Sequence, residues 1–142
     1  MVPTVIEPRT DAEILQTYEV MRQLRPDLSP DEYAPAVRRL IAQEGYRLVA
    51  VSEDDQVRAV AGYRLMEMLY CGRILYIDDL VTDERARSRG FGRQLLDWLK
   101  EAARTHGCTE VHLDSRLHRE AAHRFYEREG FTKTCYHFAA VL

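Results

Sequence analysis

Apolar residues in the first third of the chain recur at helical spacing. Asp11 can cap a helix that ends at Met21 or Leu24, because Pro26 cannot continue it. The apolar face of this first helix would consist of Ile14, Leu15, Tyr18 and Met21 or Arg22. A second helix is predicted between a capping Ser29 and a terminating Gly45. Its first turn and its apolar face are formed by Pro30, Glu32, Val37, Leu40 and Ile41.

The middle of the chain changes to β-branched and aromatic residues, which are typical of strands. The predicted strands are TVIEPRT before the first helix, then YRLVAVSE, QVRAVAGYRLMEMLY and RILYIDDLVTD, with turns at EDDQ and CGR. A helix over about residues 93–105 follows, and Gly107 closes it. The last elements are a strand in CTEVHLDS, a helix in REAAHRFYERE and a strand in FTKTCYHFAAVL. The order β-α-α-β-β-β-α-β-α-β predicts one α/β domain over residues 1–142, with a mixed sheet and helices on both faces.

Composition narrows the class of protein. The chain is 46% hydrophobic and 30% charged and carries a net charge of −3, as globular domains commonly do. No apolar run reaches the roughly 20 residues of a membrane-spanning helix, and the first residues lack the regions of a signal peptide. Three isolated cysteines predict neither a disulfide framework nor a metal site. We therefore expect a cytoplasmic protein that binds no metal, membrane or nucleic acid.

A glycine-containing turn, RSRGFG, stands before the predicted helix at residue 93 and is rich in arginine. The first turn of a helix presents unsatisfied amides and a positive dipole end, so anions bind there readily. Gly90 and Gly92 would let backbone and ligand approach closely. Taken alone, the same residues also fit a plain helix start with solvated arginines. The turn matches neither a P-loop nor a dinucleotide fingerprint.

Two adjacent acids, Asp78 and Asp79, interrupt the apolar strand ILYIDDLV. Strict alternation would place them on opposite faces of the sheet, both otherwise apolar. A carboxylate in such a place is costly unless it is paired or protonated, and burial raises its pKa toward the range of a general base. One of the acids could equally cap a loop or pair with an arginine.

Three segments together resemble one known family. The spacing Arg87-x-x-Gly90-x-Gly92 resembles the acyl-CoA pyrophosphate loop of the GNAT superfamily of N-acetyltransferases. AAHRFYEREGF resembles its last helix, and YIDDLVTDE its fourth strand. The resemblance covers nearly the whole chain and is best from Tyr76 to Phe131. It implies a three-layer fold with a central mixed, mostly antiparallel sheet, acetyl-CoA as cosubstrate, and a primary amine as acceptor.

The resemblance also implies where the cofactor binds. In the family, a bulge in the fourth strand frees backbone groups that hold the pantetheine arm and the acetyl carbonyl, and the glycine turn holds the pyrophosphate. Arg119 stands where many members carry an asparagine that meets the pantetheine. The implied cofactor-binding residues are Leu80, Val81, Thr82, Arg87, Ser88, Arg89, Gly90, Phe91, Gly92, Arg93, Arg119 and Tyr126.

The resemblance implies two catalytic roles, a proton acceptor and a proton donor. Asp78, with Asp79 as the alternative, would accept the proton of the amine, because an ammonium with a pKa near 10 is not a nucleophile. Tyr126 would protonate the departing thiolate or donate a hydrogen bond to it, although a half-buried helix tyrosine is common without any such role. The amine would attack the thioester directly in a ternary complex.

Two other functions fit parts of the same sequence. A module that binds acyl-CoA as a sensor or structural ligand would keep the loop without catalysis. A nucleic-acid binder would use the basic loop, but the net acidic charge argues against it. Members of the family often dimerise, so the resemblance is compatible with a homodimer, but the sequence leaves the oligomeric state open. In the family, the first helices help to shape the acceptor pocket. The sequence does not choose among small amines, antibiotics, amino acids and protein lysines.

Overall fold

The computed structural model describes residues 2–142, which form two compact units, one that extends to residue 112 and one over residues 113–142. The elements follow the order β1 (Thr4–Ile6), α1 (Asp11–Gln16), α2 (Tyr18–Leu24), α3 (Pro30–Glu44), β2 (Arg47–Glu53), β3 (Gln56–Met68), β4 (Gly72–Thr82), a short 3-10 turn (Glu84–Ala86), α4 (Phe91–Thr105), β5 (Glu110–Leu113) and α5 (Glu120–Arg128). Among the described residues, no helix is both long enough and apolar enough to cross a membrane.

The first predicted helix is divided in two at Thr17. Its cap is Thr10 rather than Asp11: Thr10 accepts the Glu13 amide, and the Glu13 side chain accepts the Thr10 amide, as in a capping box. The buried Thr17 hydroxyl lies 2.7 Å from both the Ile14 carbonyl and the Tyr33 hydroxyl. A side chain that bonds its own backbone competes with helical hydrogen bonds, and this explains the break.

Helix α3 begins and ends where the sequence predicts. Ser29 caps it by accepting the Glu32 amide, and Pro30 is its first residue. Gly45 terminates it in the left-handed conformation, with φ of 68°. That turn reverses the chain so that Tyr46 and then β2 follow directly.

The five strands form one sheet in the order β1-β2-β3-β4-β5, and the first four are antiparallel to their neighbours. Side chains alternate between its faces. On one face, Leu48 and Ala50 pack in a cluster with side chains of α1, α2 and α3. On the other, Tyr63 meets Trp98 of α4 with 6.1 Å between ring centroids. Within the first unit, the sheet is therefore covered by helices on both faces.

The predicted final strand is not formed, which corrects the expected order at its end. Residues 132–142 have no regular secondary structure and are exposed. Their threonines and aromatic residues are typical of strands, but a strand also needs a neighbour to pair its backbone groups. Composition alone cannot supply that partner.

Candidate active site

Strand β4 carries a bulge at the acid pair, as the family resemblance implies. Gly62 of β3 pairs with Asp79 and Tyr63 pairs with Ile77, so Asp78 is an extra residue without a partner position on β3. The bulge also overturns the alternation argument. Both carboxylates are directed toward the face of the sheet that α1, α2 and α3 cover, because their partners stand on that face.

The two acids are held by different partners. The Arg64 guanidinium donates two hydrogen bonds to Asp78, each 2.9 Å long. Asp79 accepts from Arg25 Nε at 2.9 Å and from the Tyr46 hydroxyl at 2.7 Å. Arg25 also donates to the Asp78 carbonyl at 3.1 Å. Both acids are paired, which is the alternative that the sequence left open, and the pairing by itself does not exclude proton transfer.

Burial shifts the pKa values of three groups in and beside this cluster. It raises the pKa of Asp78 above its ordinary value, although the hydrogen bonds and charge of Arg64 oppose the change. Burial also raises the pKa of Tyr33 to about 12 and, together with Asp79, raises that of Tyr46 well above its usual range. Both phenols therefore keep their protons at neutral pH, and Tyr46 acts as a donor to Asp79.

Tyr46 lies directly against the backbone of β3. A Cβ added to Gly62 would overlap the Tyr46 hydroxyl and ring. A glycine within a strand often marks such a close approach. Gly62, which pairs with Asp79 across the two strands, thus leaves space for the Tyr46 phenol, and this phenol orients Asp79.

An open cleft of about 410 Å³ lies beside Asp79. Its walls come from α2, the connection between α2 and α3, and α3 itself; we call it the α2–α3 cleft. Its lining consists of Met21, Leu24, Arg25, Pro26, Asp27, Leu28, Tyr33, Ala36, Val37, Leu40, Tyr46 and Asp79. Its size is suitable for a small molecule.

Beyond the bulge, β4 leads to the glycine turn by way of a buried carboxylate. Leu80, Val81 and Thr82 finish the strand, paired with β3. Next in the chain, Asp83 accepts hydrogen bonds from the Arg85 amide and from Gln23 of α2, both at 3.2 Å. Burial alone would raise the pKa of Asp83, but these hydrogen bonds outweigh it and lower that pKa.

The glycine turn ends in a helix start without a side-chain cap. Gly90 is the cap residue of α4, in the left-handed conformation with φ of 85°, and the first turn contains no acid. The Gly90 carbonyl accepts the Gln94 amide at 3.0 Å, while the first amides of a helix have no acceptor within it. Nothing lies within 4 Å of a Cβ added to Gly90. This end of α4 is open and suited to an anion.

The side chains of the turn differ in how firmly they are held. Arg89 donates to both carboxylate oxygens of Glu53 at 3.0 Å, and its guanidinium lies 4.8 Å from the centroid of the buried Phe91 ring. Arg87 is exposed and, within residues 2–142, forms no ion pair. Ser88 has a positive φ of 65°. Gly92 and Arg93 belong to the first turn of α4.

The other two predicted site residues lie in residues 113–142. Arg119 is the cap residue of α5 and makes no capping hydrogen bond through its side chain. Tyr126 on α5 is buried, with its ring 5.5 Å from that of Phe125 and 5.9 Å from that of Phe131, measured between centroids. Burial raises the pKa of Tyr126 despite the opposing charge of Arg119. The phenol therefore keeps its proton well into the alkaline range.

One group of potential metal ligands occurs among the described residues. Cys71, Glu110 and His112 place their ligand atoms within 4.8 Å of one another. His112 Nε2 lies 2.7 Å from a Glu110 carboxylate oxygen, as an ion pair or hydrogen bond would place it. Cys71 immediately precedes β4 and lies seven residues before Asp78, which corresponds to about 23 Å in an extended chain. The group is therefore separate from the acid pair.

Sequence reasoning did not identify Tyr46, Gly62 and Arg64 as part of the site. Two signals were present: Gly62 interrupts an apolar strand, and Arg64 is a charge two residues later in the same strand. The contact of Tyr46 with Asp79 spans 33 residues, and no local pattern encodes it.

Comparison with known proteins agrees with this architecture. The acetyltransferase (GNAT) family model matches residues 13–131. The uncharacterized N-acetyltransferase YhdJ of Bacillus subtilis is 37% identical over 127 residues, which are 89% of each chain. Glucosamine 6-phosphate N-acetyltransferase 1 of Oryza sativa is 35% identical over 91 residues, 61% of this chain and 55% of that protein.

A solved structure shows the same fold at low sequence identity. An aminoglycoside N-acetyltransferase, AAC(6')-Iy, in complex with CoA superposes with a TM-score of 0.87 and 13% identity, over 99% of this chain and 95% of that one. The family model spans most of the sequence, and YhdJ matches nearly all of it. The chain is therefore an N-acetyltransferase that belongs to the GNAT family.

Proposed function

We propose that the protein transfers an acetyl group from acetyl-CoA to a primary amine by direct attack in a ternary complex. The observation that carries this proposal is the path of one strand: β4 presents the acid pair at its bulge and then leads into the uncapped start of α4. The proposed proton acceptor, Asp78, and the proposed anion site at Gly90 are thus twelve residues apart in the chain.

The residues of the glycine turn fit the diphosphate of coenzyme A. The first amides of α4 and the exposed guanidinium of Arg87 would bind its oxygens, and Gly90 leaves the backbone accessible. Arg89, held by Glu53, would add positive potential from a fixed position. Leu80, Val81 and Thr82 would contribute backbone groups to the pantetheine arm, and Arg119 would contact it from the start of α5.

Asp78 is the proposed proton acceptor, with Asp79 as the alternative. The acceptor amine must lose a proton before its lone pair can attack the thioester carbonyl. A carboxyl group whose pKa is raised by burial is a better base than an ordinary surface carboxylate. Arg64 fixes the orientation of the Asp78 carboxylate through two hydrogen bonds.

Tyr126 is the proposed proton donor to the departing thiolate. Its raised pKa keeps the phenol protonated at neutral pH, so that it has a proton to give. The phenolic proton would pass to sulfur as the carbon–sulfur bond breaks. The second proton of the attacking nitrogen, released as the amide forms, would restore the phenol, and the proton taken up by Asp78 would return to solvent.

Calorimetry and thiol release together test this function. Acetyl-CoA is expected to bind the purified protein, and amines are expected to release free thiol. Tyr126→Phe should lower turnover by about 100-fold, in the range of general acid catalysis, with unchanged affinity for acetyl-CoA. Tyr136→Phe, at a tyrosine that is 82% exposed, is the matched control. Equal turnover in the Tyr126 variant would remove that residue from the mechanism.

A module that binds acyl-CoA without catalysis is the second candidate. The arginine partners of Asp78 and Asp79 favour it, since such pairs also occur as purely structural contacts. It predicts binding of acetyl-CoA with no thiol release by any amine. Cytoplasmic location and a homodimer stay predictions, which cell fractionation and gel filtration would test.

A further inference from the structure

The α2–α3 cleft has apolar walls. Seven of its lining residues are apolar and non-aromatic, among them Leu24 at the end of α2, Leu28 on the connection, and Val37 and Leu40 on α3. Leu40 is 37% exposed, so an apolar surface faces the opening. A ligand that buries apolar groups against these walls would gain free energy in proportion to the area covered.

The polar groups of the cleft carry a net negative charge. Asp27 and Asp79 are its acids and Arg25 is the cation among its described lining residues. Arg25 is already paired with Asp79 at 2.9 Å. Asp79 uses one oxygen for Arg25 and the other for Tyr46, but a carboxylate can accept about four hydrogen bonds. It therefore retains capacity for an ammonium that enters from the cleft.

The same polar groups disfavour a ligand that carries a negative charge. A phosphoryl group in the cleft would face two carboxylates, and the one guanidinium available would have to leave Asp79 to bind it. Like charges placed together without compensation cost several kcal/mol. The named substrate of the rice relative is a phosphorylated amine, whereas the lining of this cleft has the opposite character.

We infer that the acceptor is a primary amine on an uncharged, largely apolar body, which binds in the α2–α3 cleft with its ammonium at Asp79. This inference rests on the proposed function and specifies its substrate class. Tyr46 is a positioning residue that orients Asp79, and Arg25 shares Asp79 with the incoming ammonium. Amines that carry a phosphoryl group are poor acceptors.

A matched pair of amines tests the charge requirement. Tyramine and O-phosphotyramine differ only in the phosphoryl group, and each is offered with acetyl-CoA to the full chain. We expect kcat/KM for tyramine to exceed that for the phosphate by at least about tenfold, because the phosphate adds like charge to the cleft. A preference for O-phosphotyramine, or acetylation of glucosamine 6-phosphate in place of tyramine, would overturn the inference and leave the acetyltransferase function intact.

A pair of neighbouring leucine and isoleucine variants tests the location. Leu40 and Ile41 are 37% and 38% exposed on α3, but only Leu40 lines the α2–α3 cleft. Leu40→Asn should raise KM for tyramine by about fivefold, as expected for lost apolar burial, with kcat nearly unchanged. Ile41→Asn should leave KM as it is. Equal effects of the two substitutions would count against the cleft.

Direct binding separates the failure of this inference from the failure of the proposed function. Tyramine and O-phosphotyramine are titrated into the protein with coenzyme A present, and binding is followed by calorimetry. Tighter binding of tyramine, weakened by Leu40→Asn, supports the inference even if no thiol is released, in which case the proposed transfer reaction fails. Absent binding of tyramine, or tighter binding of its phosphate, refutes the inference whether or not other amines are acetylated.

Discussion

The bulge of β4 and the start of α4 lie close in sequence, but their charged groups differ in whether other side chains compensate them. At the bulge, every carboxylate oxygen of Asp78 and Asp79 accepts a hydrogen bond from a neighbouring side chain. At the start of α4, no side chain caps the helix, and Arg87 has no ionic partner within residues 2–142. The negative site is internally compensated, while the positive site is open.

This difference in charge compensation implies different roles for the two regions. An open positive site needs no rearrangement before it binds an anion, so its contribution to affinity is available at once. A compensated acid pair keeps its geometry without ligand, and burial together with Arg64 sets the pKa of Asp78. The comparison predicts that changes at the bulge alter catalysis and pH dependence, and that changes at the start of α4 alter cofactor affinity.

The largest expected effect comes from Asp78. Asp78→Asn should lower kcat by about 100-fold, because general base catalysis is lost, with little change in affinity for acetyl-CoA. Kinetics and calorimetry on the same preparation measure both. Asp97→Asn, at an exposed position of α4, is the control. Full activity of the Asp78 variant, with loss of activity in Asp79→Asn, would transfer the role to the alternative acid.

The pH dependence of kcat/KM provides a second test of the role of Asp78. Since the pKa of Asp78 is raised in the folded protein, its carboxylate is lost as pH falls through a value above that of an ordinary aspartate. The acidic limb of kcat/KM should lie there. Arg64→Gln should move that limb to higher pH, because Arg64 lowers this pKa. The sign for stability is opposite: between the unfolded and folded pKa values, the contribution of Asp78 falls as pH rises.

Gly62 should show the next largest effect. A methyl group at Gly62 must displace Tyr46, which breaks the hydrogen bond to Asp79. We expect Gly62→Ala to lower stability by about 1–3 kcal/mol, the usual cost of overpacking, and turnover by about tenfold. In a Tyr46→Ala background the same substitution should cost much less in thermal unfolding. Additive costs in this double-mutant cycle would show that the contact is not the cause.

A smaller, selective effect is expected at Gly90. Gly90 and Gly107 flank the two ends of α4 with φ of 85° and 73°, and an added Cβ meets nothing at either. Both alanine variants should therefore lose a similar 1–2 kcal/mol or so of stability, as left-handed residues do. Only Gly90→Ala should also weaken coenzyme A binding, by about tenfold. Equal affinities in calorimetry would break the assignment of the anion site.

The smallest expected effect distinguishes two arginines of the turn. Arg87→Gln should weaken coenzyme A binding by about fivefold, because an uncompensated charge is removed. Arg89→Gln should weaken it by about twofold, since Glu53 already balances that charge. Titrations at two salt concentrations provide the check. A larger loss for Arg89 would show that the Glu53 pair opens when the ligand binds.

Local sequence signals predicted most of the fold and less of the site. Ser29, Pro30 and Gly45 set the ends of α3 through cap chemistry that involves only neighbouring residues. The break at Thr17 depends on a hydroxyl that also contacts Tyr33. The last strand was expected from residue types alone, which do not reveal whether a neighbouring strand pairs with it. Where contacts between residues far apart in sequence determine the structure, composition and spacing do not predict it.

The candidate site follows the same rule. The turn from Arg87 to Gly92 was identified because its function depends on backbone conformation, which glycine spacing reveals. The acids were found as charges in an apolar strand. Their orientation was not, because one extra residue in β4 cancels the alternation, and their partners Tyr46 and Arg64 come from other strands or their ends.

Gln23 joins α2 to the segment between β4 and the glycine turn. Its amide nitrogen binds Asp83 and its amide oxygen accepts the Glu84 backbone at 2.9 Å. If α2 moved away, a carboxylate that is 3% exposed would lose a donor inside the protein. Helix α2, which forms one wall of the α2–α3 cleft, is thus fixed to the segment that leads from β4 into the glycine turn.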